Sequence, residues 1–308
     1  MNEPTSGAKN NSKQQQKARI NETLFAIHGD LAHPWTAQEL AGVAAYSPHH
    51  FQRVFKSVTG ENLNIYLRRT RLEKAANLLI YHPDISILEI AQKCGFQSPA
   101  SFTHRFKEWF GDTPKHWRNG GYEQFTQRVT ESHQDEEVLA KLKLQNIKHR
   151  DEFNGIKIVT REPTRVAYVR HQGYNRSISQ AWRKLVAWAE SEDLLWQQQE
   201  MIGLYHSNPN IVPLPQCRYV ACIQVPNDVW RHQEIGIMTI PGGLHAQLAV
   251  SGHYGDLLPV LHRVLHFWLP HSGYRLALTP AFVSYQRNQF LQTDDRFELE
   301  LYLPVKAF

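Results

Sequence analysis

Cysteine is scarce in this chain, methionine equally so, and no apolar run approaches the ~18–20 residues that span a bilayer. The three cysteines, Cys94, Cys217 and Cys222, are odd in number and far apart. They exclude a disulfide framework and fit a reducing cytoplasm, the expected location. The stretch from Met1 to Gln16 is polar and has no apolar core, so no signal peptide is expected. Chemistry-bearing motifs are also lacking. His262 and His266 lie four apart at a spacing that can bind metal. However, the intervening Arg-Val-Leu lacks the glutamate of a metalloprotease motif, and no third ligand is evident. Cys217 and Cys222 read as small buried residues in or beside a strand. Gly242-Gly243 after Pro241 reads as a turn, and no nucleophile, base and orienting group assemble from local motifs. No metal, cofactor, catalytic residue or enzymatic activity is expected.

What is present is ordinary soluble-protein material in unequal halves. A hydrophobic fraction of 42% and a charged fraction of 20% suit a globular protein, and 308 residues suffice for two domains. Residues 1–125 hold 15 Lys and Arg against 11 Asp and Glu, whereas residues 151–308 hold 14 of each. The basic excess in the first half favours a polyanionic partner. Residues 1–18 are rich in Asn, Gln, Lys and Ser and read as a disordered arm. Residues 19–122 read as a helical domain. Residues 123–154 read as a linker, with a short helix suggested by Val138, Leu139, Leu142 and Leu144. From 155 to 308 short β-branched and aromatic runs alternate with charges, as in Phe297-Glu-Leu-Glu-Leu-Tyr-Leu303, which is strand periodicity. The expected fold is therefore an all-α first domain followed by an α+β second domain.

Each half contains an internal duplication. In the first, Thr36-Ala-Gln-Glu-Leu-Ala41 matches Ser86-Ile-Leu-Glu-Ile-Ala91. A hydroxyl residue followed three positions later by Glu is a capping box, which satisfies free N–H groups at a helix start. Each short helix runs into a turn, Ala45-Tyr46 or Gly95-Phe96, and then into Ser-Pro, at Ser47-Pro48 and Ser98-Pro99. Serine suits an N-cap, and proline suits the first helical position, where its missing N–H costs nothing. The helices that follow match at Phe51 and Phe102, Phe55 and Phe106, Lys56 and Lys107, and Gly60 and Gly111. Phe51, Val54, Phe55 and Val58 form one apolar stripe, and Phe102, Phe106 and Trp109 form the other. The outward faces then carry His49, His50, Gln52, Arg53 and Lys56 in the first, and Ser98, Ser101, Thr103, His104 and Lys107 in the second. Two short helices joined by a tight turn, the second polar on its outer face, place a helix in a DNA major groove. Between the units, Leu63 to Tyr81 reads as a rigid helix that fixes their separation.

With these residues in view, residues 20–118 resemble the DNA-binding domain of AraC/XylS-family regulators. The resemblance is carried by Phe51-Gln-Arg-Val-Phe55, Arg71-Leu-Glu-Lys-Ala75, Ile90-Ala-Gln-Lys-Cys-Gly-Phe96 and Thr113-Pro-Lys-His-Trp-Arg118. It implies two recognition helices in successive major grooves on one face of double-stranded DNA, and RNA polymerase as a partner. It also implies a monomer on DNA, since two units in one chain span two half-sites. Arg53 can bond guanine and Gln52 adenine. Pro99, Ala100 and His104 stand where relatives often carry longer polar chains or arginine. The first unit is therefore expected to discriminate bases and the second to hold phosphate.

The second duplication sets Val166-Ala-Tyr-Val-Arg-His-Gln-Gly-Tyr-Asn175 against Ala246-Gln-Leu-Ala-Val-Ser-Gly-His-Tyr-Gly255. Each strand leads into an aromatic-bearing helix, Ile178 to Trp188 or Leu257 to Trp268, and then into further strands. Two similar halves with a cleft between them are expected. This half resembles the GyrI-like effector-binding domain, an architecture of the Rob type. The residues that carry it are His171-Gln-Gly-Tyr174, Ile202-Gly-Leu-Tyr205, Cys217-Arg-Tyr219, Ile240-Pro-Gly-Gly243, Ser272-Gly-Tyr274 and Leu303-Pro-Val305. The resemblance implies a small-molecule effector in the cleft, with Tyr174, Tyr205, Trp268, Val283 and Tyr285 as candidate walls. The alternative for each aromatic is ordinary core packing. Relatives typically carry glutamate where this chain has Val283, and acidic residues where it has Ser207 and Val220. Valine cannot neutralise a buried cation, so an apolar or neutral ligand, or none, is expected. Hydrolysis of a small molecule and binding of a protein partner are the competing roles for this half.

Overall fold

A computed structural model describes residues 6–131, 153, 155–230 and 235–307. It comprises two compact units, one built largely from the chain up to Tyr122 and the other from most of the remainder. The short helix suggested at Val138–Leu144 and most of the linker lie outside the described residues.

The first unit is helical: α1 (Ser6–Gly29), α2 (Ala37–Val43), α3 (Pro48–Thr59), α4 (Leu63–Tyr81), α5 (Ile87–Lys93), α6 (Pro99–Phe110) and the single turn α7 (Pro114–His116). Helix α8 (Tyr122–Glu131) follows, in the stretch read as linker. Residues 6–18, expected as a disordered arm, are instead the opening turns of α1. No proline or glycine interrupts Ala8 to His28, and Lys and Gln lose little rotamer freedom in a helix. Its second half is pinned by Ile20, Leu24 and Ile27, all buried at helical spacing.

Two small cores lie on either side of α4. The first gathers Ile20, Leu24 and Ile27 of α1, Leu40 of α2, Phe51, Val54 and Phe55 of α3, and Leu63, Tyr66 and Leu67 of α4. The second stacks Phe102, Phe106 and Phe110 against Trp117, whose indole N–H donates to the Ala76 carbonyl at 3.3 Å. Trp109, expected inward, is 37% exposed, while its neighbour Phe110 is 2% exposed. The stripe on α6 runs at i, i+4, i+8, and Trp117 from beyond the helix packs on Phe106 and Phe110. Arg69 of α4 is buried between Glu73 (2.8 Å) and Glu61, with Tyr66 beneath its guanidinium. The paired carboxylates hold its pKa above the ordinary arginine value despite desolvation.

The second unit contains β1 (Lys157–Arg161), β2 (Thr164–Gln172), α9 (Ile178–Ser191), β3 (Met201–Tyr205), β4 (Arg218–Gln224), β5 (Gly236–Ile240) and β6 (Gly243–His253). It continues with α10 (Leu257–Arg263, extended by a wide turn to Trp268), β7 (Tyr274–Leu276), β8 (Ala281–Arg287) and β9 (Arg296–Ala307). The main sheet runs β1-β6-β9-β8-β3-β4-β2-β5, with β7 beside β9. The halves meet at β3 and β8, where Gly203 lies opposite Val283. Each half's outermost strand comes from the other half's hairpin: β1 pairs with β6, and β5 stands beside β2.

That exchange curls the sheet. β1 and β2 lie six strand positions apart, yet only Glu162 and Pro163 join them. A flat sheet would separate them by about 29 Å at ~4.8 Å per strand, whereas three Cα steps reach at most about 11 Å. The two edges must approach, and Val159 of β1 and Met238 of β5 indeed pack on one core with Val166, Ile202, Val220, Phe282 and Tyr302. Helix α9 packs against the opposite face of the sheet, over β2 and β4.

Candidate nucleic-acid interface

Both hairpins begin with a hydroxyl cap. Thr36 and Glu39 make the complete reciprocal box: the Thr36 hydroxyl accepts from the Glu39 N–H (3.1 Å), and the Glu39 carboxylate accepts from the Thr36 N–H (2.8 Å). The Thr36 hydroxyl also donates to that carboxylate at 2.7 Å, and this bond first, with those from the Thr36 N–H and His33, holds the Glu39 carboxyl at about 2. Ser86 accepts from the Glu89 N–H (3.1 Å), while the Glu89 carboxylate lies 3.5 Å from Lys93 instead. The second box is therefore half-formed. The turns match in conformation: Ala45 and Gly95 both have positive φ, +51° and +76°. Only the second position needs glycine for space as well. A Cβ at Gly95 would lie 2.9 Å from the Ala32 carbonyl oxygen and 3.0 Å from the Arg71 guanidinium. Arg71 is held there by donating to the Leu31 (2.9 Å) and His33 (2.6 Å) carbonyls, so α4 ties the loop before α2 to the turn after α5.

The buried phenylalanines set the rotation of α3 and α6. On α3, His49, Gln52, Arg53 and Lys56 are exposed and His50 is half-buried. On α6, Ser98, Ser101, His104 and Lys107 are exposed and Thr103 is half-buried. The Ser98 hydroxyl caps α6 by accepting from the Ser101 N–H (3.2 Å), whereas Ser47 makes no such bond on α3. The exposed faces differ in charge. Arg53 donates to the His50 Nδ1 atom at 3.1 Å and meets no carboxylate among the described ion pairs. On α6, Arg105 pairs with Glu108 at 2.9 Å. The Glu108 carboxyl is held below its ordinary value, first by the Arg105 hydrogen bond, with the charges of Arg105, Arg68 and His104 adding. Arg68 and Arg105 escaped the sequence reading because position 105 corresponds to the buried Val54 in the first unit.

In the second unit, the candidate cleft residues divide. Tyr174 is buried and fully engaged: its hydroxyl donates to the Ser207 (3.0 Å) or Arg218 (3.1 Å) carbonyl and accepts from the Ser207 N–H (3.0 Å). Its ring packs edge-on against Tyr205. Tyr285 is buried, its hydroxyl 3.3 Å from that of Tyr219 and its ring perpendicular to Trp182. Burial pushes the phenols of Tyr174, Tyr205, Tyr219 and Tyr285 above their ordinary value. Val283 is fully buried, and Trp268 is half-buried at the end of the α10 turn. The sequence reading missed Trp182 and Tyr219 as members of this cluster. Trp182 donates to the Tyr219 hydroxyl at 3.1 Å, and that hydroxyl occupies the space a Cβ at Gly203 would need. Gly203, quoted for its motif, carried the signal.

The His262 and His266 rings lie tilted against one another with centres 4.2 Å apart, and His262 faces the Asn210 amide at 3.1 Å. Burial lowers the His262 pKa to about 4, with His266 and Arg263 adding. Among the described residues no helix is long and apolar enough to cross a membrane.

Comparison with known proteins agrees with both halves. Residues 40–120 match a helix-turn-helix domain, and residues 155–306 match the GyrI-like small molecule binding domain. The chain is 42% identical over 99 residues to the TetD protein of transposon Tn10 from Escherichia coli, covering 32% of this chain and 71% of that protein. It is 35% identical over 105 residues to the HTH-type transcriptional activator AarP of Providencia stuartii, covering 34% and 77%. It is 38% identical over 103 residues to the right origin-binding protein of Escherichia coli K12, covering 33% of this chain but only 35% of that protein. With paired helix-turn-helix units in front and a GyrI-like domain behind, the chain belongs to the AraC/XylS family of DNA-binding transcription regulators.

Proposed function

We propose that α3 and α6 enter successive major grooves of one operator, that α3 supplies most base discrimination, and that α6 chiefly grips phosphate. The observation that carries this reading is the asymmetry of two helices set in the same rotation. Gln52 and Arg53 stand exposed on α3, and Arg53 is bonded to no carboxylate among the described ion pairs, while α6 presents hydroxyls, His104 and an Arg105–Glu108 pair. An arginine can bond two guanine acceptors, whereas hydroxyls and helix-start N–H groups suit phosphate. The protein acts as a monomer on a site whose half-sites lie about 10 bp apart, one helical turn, and it recruits or repositions RNA polymerase. Selection of duplexes by the full chain, followed by salt titration of the best one, is expected to yield a site of about 20 bp with a steep salt slope. Arg53→Ala should then relax base preference more than His104→Ala across operator variants; the reverse order refutes the division of labour.

The second domain acts as a sensor of a neutral or apolar ligand, or as a contact for a protein partner, and not as an enzyme. Supporting this, Val283 places no charge in the cleft, and the hydroxyls of Tyr219 and Tyr285 meet one another there. An unpaired buried cation is expensive. Thermal-shift measurements should show no strong stabilisation by quaternary amines. Stabilisation by these and not by neutral ligands would overturn the inference from Val283, and turnover of a reactive ester would restore the hydrolase reading.

A further inference from the structure

The exposed face of α3 is tied to α1 by a chain of contacts with no counterpart on α6 among the described residues. Arg19 of α1 donates to the Ala45 carbonyl at 3.0 Å, and its guanidinium lies 4.9 Å from the centre of the Tyr46 ring. Tyr46 packs against the His50 imidazole with ring centres 4.7 Å apart. His50 Nδ1 accepts from an Arg53 terminal nitrogen at 3.1 Å. Arginine only donates, so the imidazole nitrogen is the acceptor in this bond. It uses one of the five guanidinium N–H groups and leaves four, enough for a two-point contact with guanine. In the second unit, Phe96 stands in the place of Tyr46, Ser101 in that of His50 and His104 in that of Arg53. There Phe96 turns to the buried Phe102 ring at 5.0 Å. Among the described residues the relay is therefore a feature of the first unit alone.

We infer that His50 and Tyr46 are positioning residues that preorganise the Arg53 guanidinium for base reading, and that α1 sets operator discrimination through them. A free arginine side chain loses rotamer entropy when it docks. An acceptor that holds it beforehand moves that loss to folding, so a correct base pair gains more than an incorrect one. This assignment rests on Arg53 being a base reader, and it reassigns His50 from a DNA contact to a support for one.

The test is a double-mutant cycle on the full chain, read as discrimination: the ratio of Kd values for the selected operator and for its variant at the pair Arg53 reads. Arg53→Ala should cut that ratio about 10- to 100-fold, as loss of a bidentate base contact does. His50→Ala should cut it about 3- to 10-fold with the melting temperature little changed, the worth of one ordinary intramolecular hydrogen bond. His50→Gln, which keeps an acceptor, should restore most of the loss. Tyr46→Phe, which keeps the ring, should have no effect, and Tyr46→Ala should mimic His50→Ala. In the Arg53→Ala background, His50→Ala should add nothing. If it weakens DNA binding equally in both backgrounds, His50 touches DNA itself and the relay is wrong. If Arg53→Ala keeps full discrimination, the base-reader assignment fails first. If Arg53→Ala loses discrimination while His50→Ala retains it, the relay alone fails.

Discussion

The two helix-turn-helix units share a pattern and differ in what completes it. In the first, the capping box closes fully, an alanine accepts the left-handed turn, and α1 covers the core with Ile20, Leu24 and Ile27. In the second, the box is half-made, the turn requires glycine, and the core is closed from behind by Trp117. A repeated local code thus gives equivalent helices, while the neighbours that finish each unit come from opposite ends of the domain. The exposed faces are free to diverge because the buried apolar residues on the opposite faces set their rotation.

The core comparison carries the largest expected effects. Phe51→Ala and Phe102→Ala remove fully buried rings at matched positions. Each should cost about 3–5 kcal/mol in denaturant unfolding, with an unchanged slope. A cost below about 1 kcal/mol at either site would break the equivalence of the two cores.

The turns should separate next. Gly95→Ala forces a side chain into positive φ and against the Ala32 carbonyl and Arg71. It should cost at least about 2 kcal/mol, combining left-handed strain with the displaced neighbours. Ala45→Gly relieves the same strain in exchange for chain entropy and should stay within about 1 kcal/mol of zero. Equal effects would show that the Arg71 bridge does not constrain the second turn.

The caps offer a smaller contrast. Thr36→Ala dismantles a complete box and should cost about 1 kcal/mol, and Ser86→Ala should cost about 0.5 kcal/mol, measured by thermal melting. A larger loss at Ser86 would mean that Lys93 does not divert Glu89 in solution.

Acidification extends the contrast to the two domains. In the second, burial, aided by Arg170 and Arg218, holds the His206 pKa at about 3, and His262 sits at about 4. Both lie below the ordinary 6.5. Their contribution is therefore complete above that value and is lost as pH falls toward the folded pKa values. Glu39 in the first domain titrates at about 2 against an ordinary 4.5, so its contribution persists until the pH drops below 4.5. Between about pH 7 and about pH 5, amide protection factors, which remove the intrinsic pH dependence of exchange, should fall in the second domain and hold in the first. A uniform fall across both would contradict these assignments.

Much of this architecture is legible in the chain. The repeated hydroxyl-x-x-Glu caps, the Ser-Pro starts and the Phe51/Phe55 and Phe102/Phe106 pairs announce both hairpins. The strands at Met201–Tyr205 and Ala281–Tyr285 announce the mirrored halves. The departures have physical causes. Residues 6–18 read as disordered on composition, yet they continue a helix whose buried anchor lies further on, at Ile20. β1 and β5 went unseen because each is a short edge strand whose partner belongs to the other half. Tyr219 was quoted for its motif but not placed in the cleft, since only the β3–β4 pairing brings it beside Gly203.

The sequence by itself determined where each helix starts and which polar side chains stand on the exposed faces of α3 and α6. Those properties depend on spacings within one or two turns of chain. Tertiary structure decided that Phe110 and not Trp109 faces the core, that the sheet curls, and that Arg53 donates to His50, whose ring packs on a Tyr46 covered by Arg19 of α1. Each of those outcomes turns on groups many residues apart competing for one volume or one hydrogen bond, and local periodicity carries no record of which group wins.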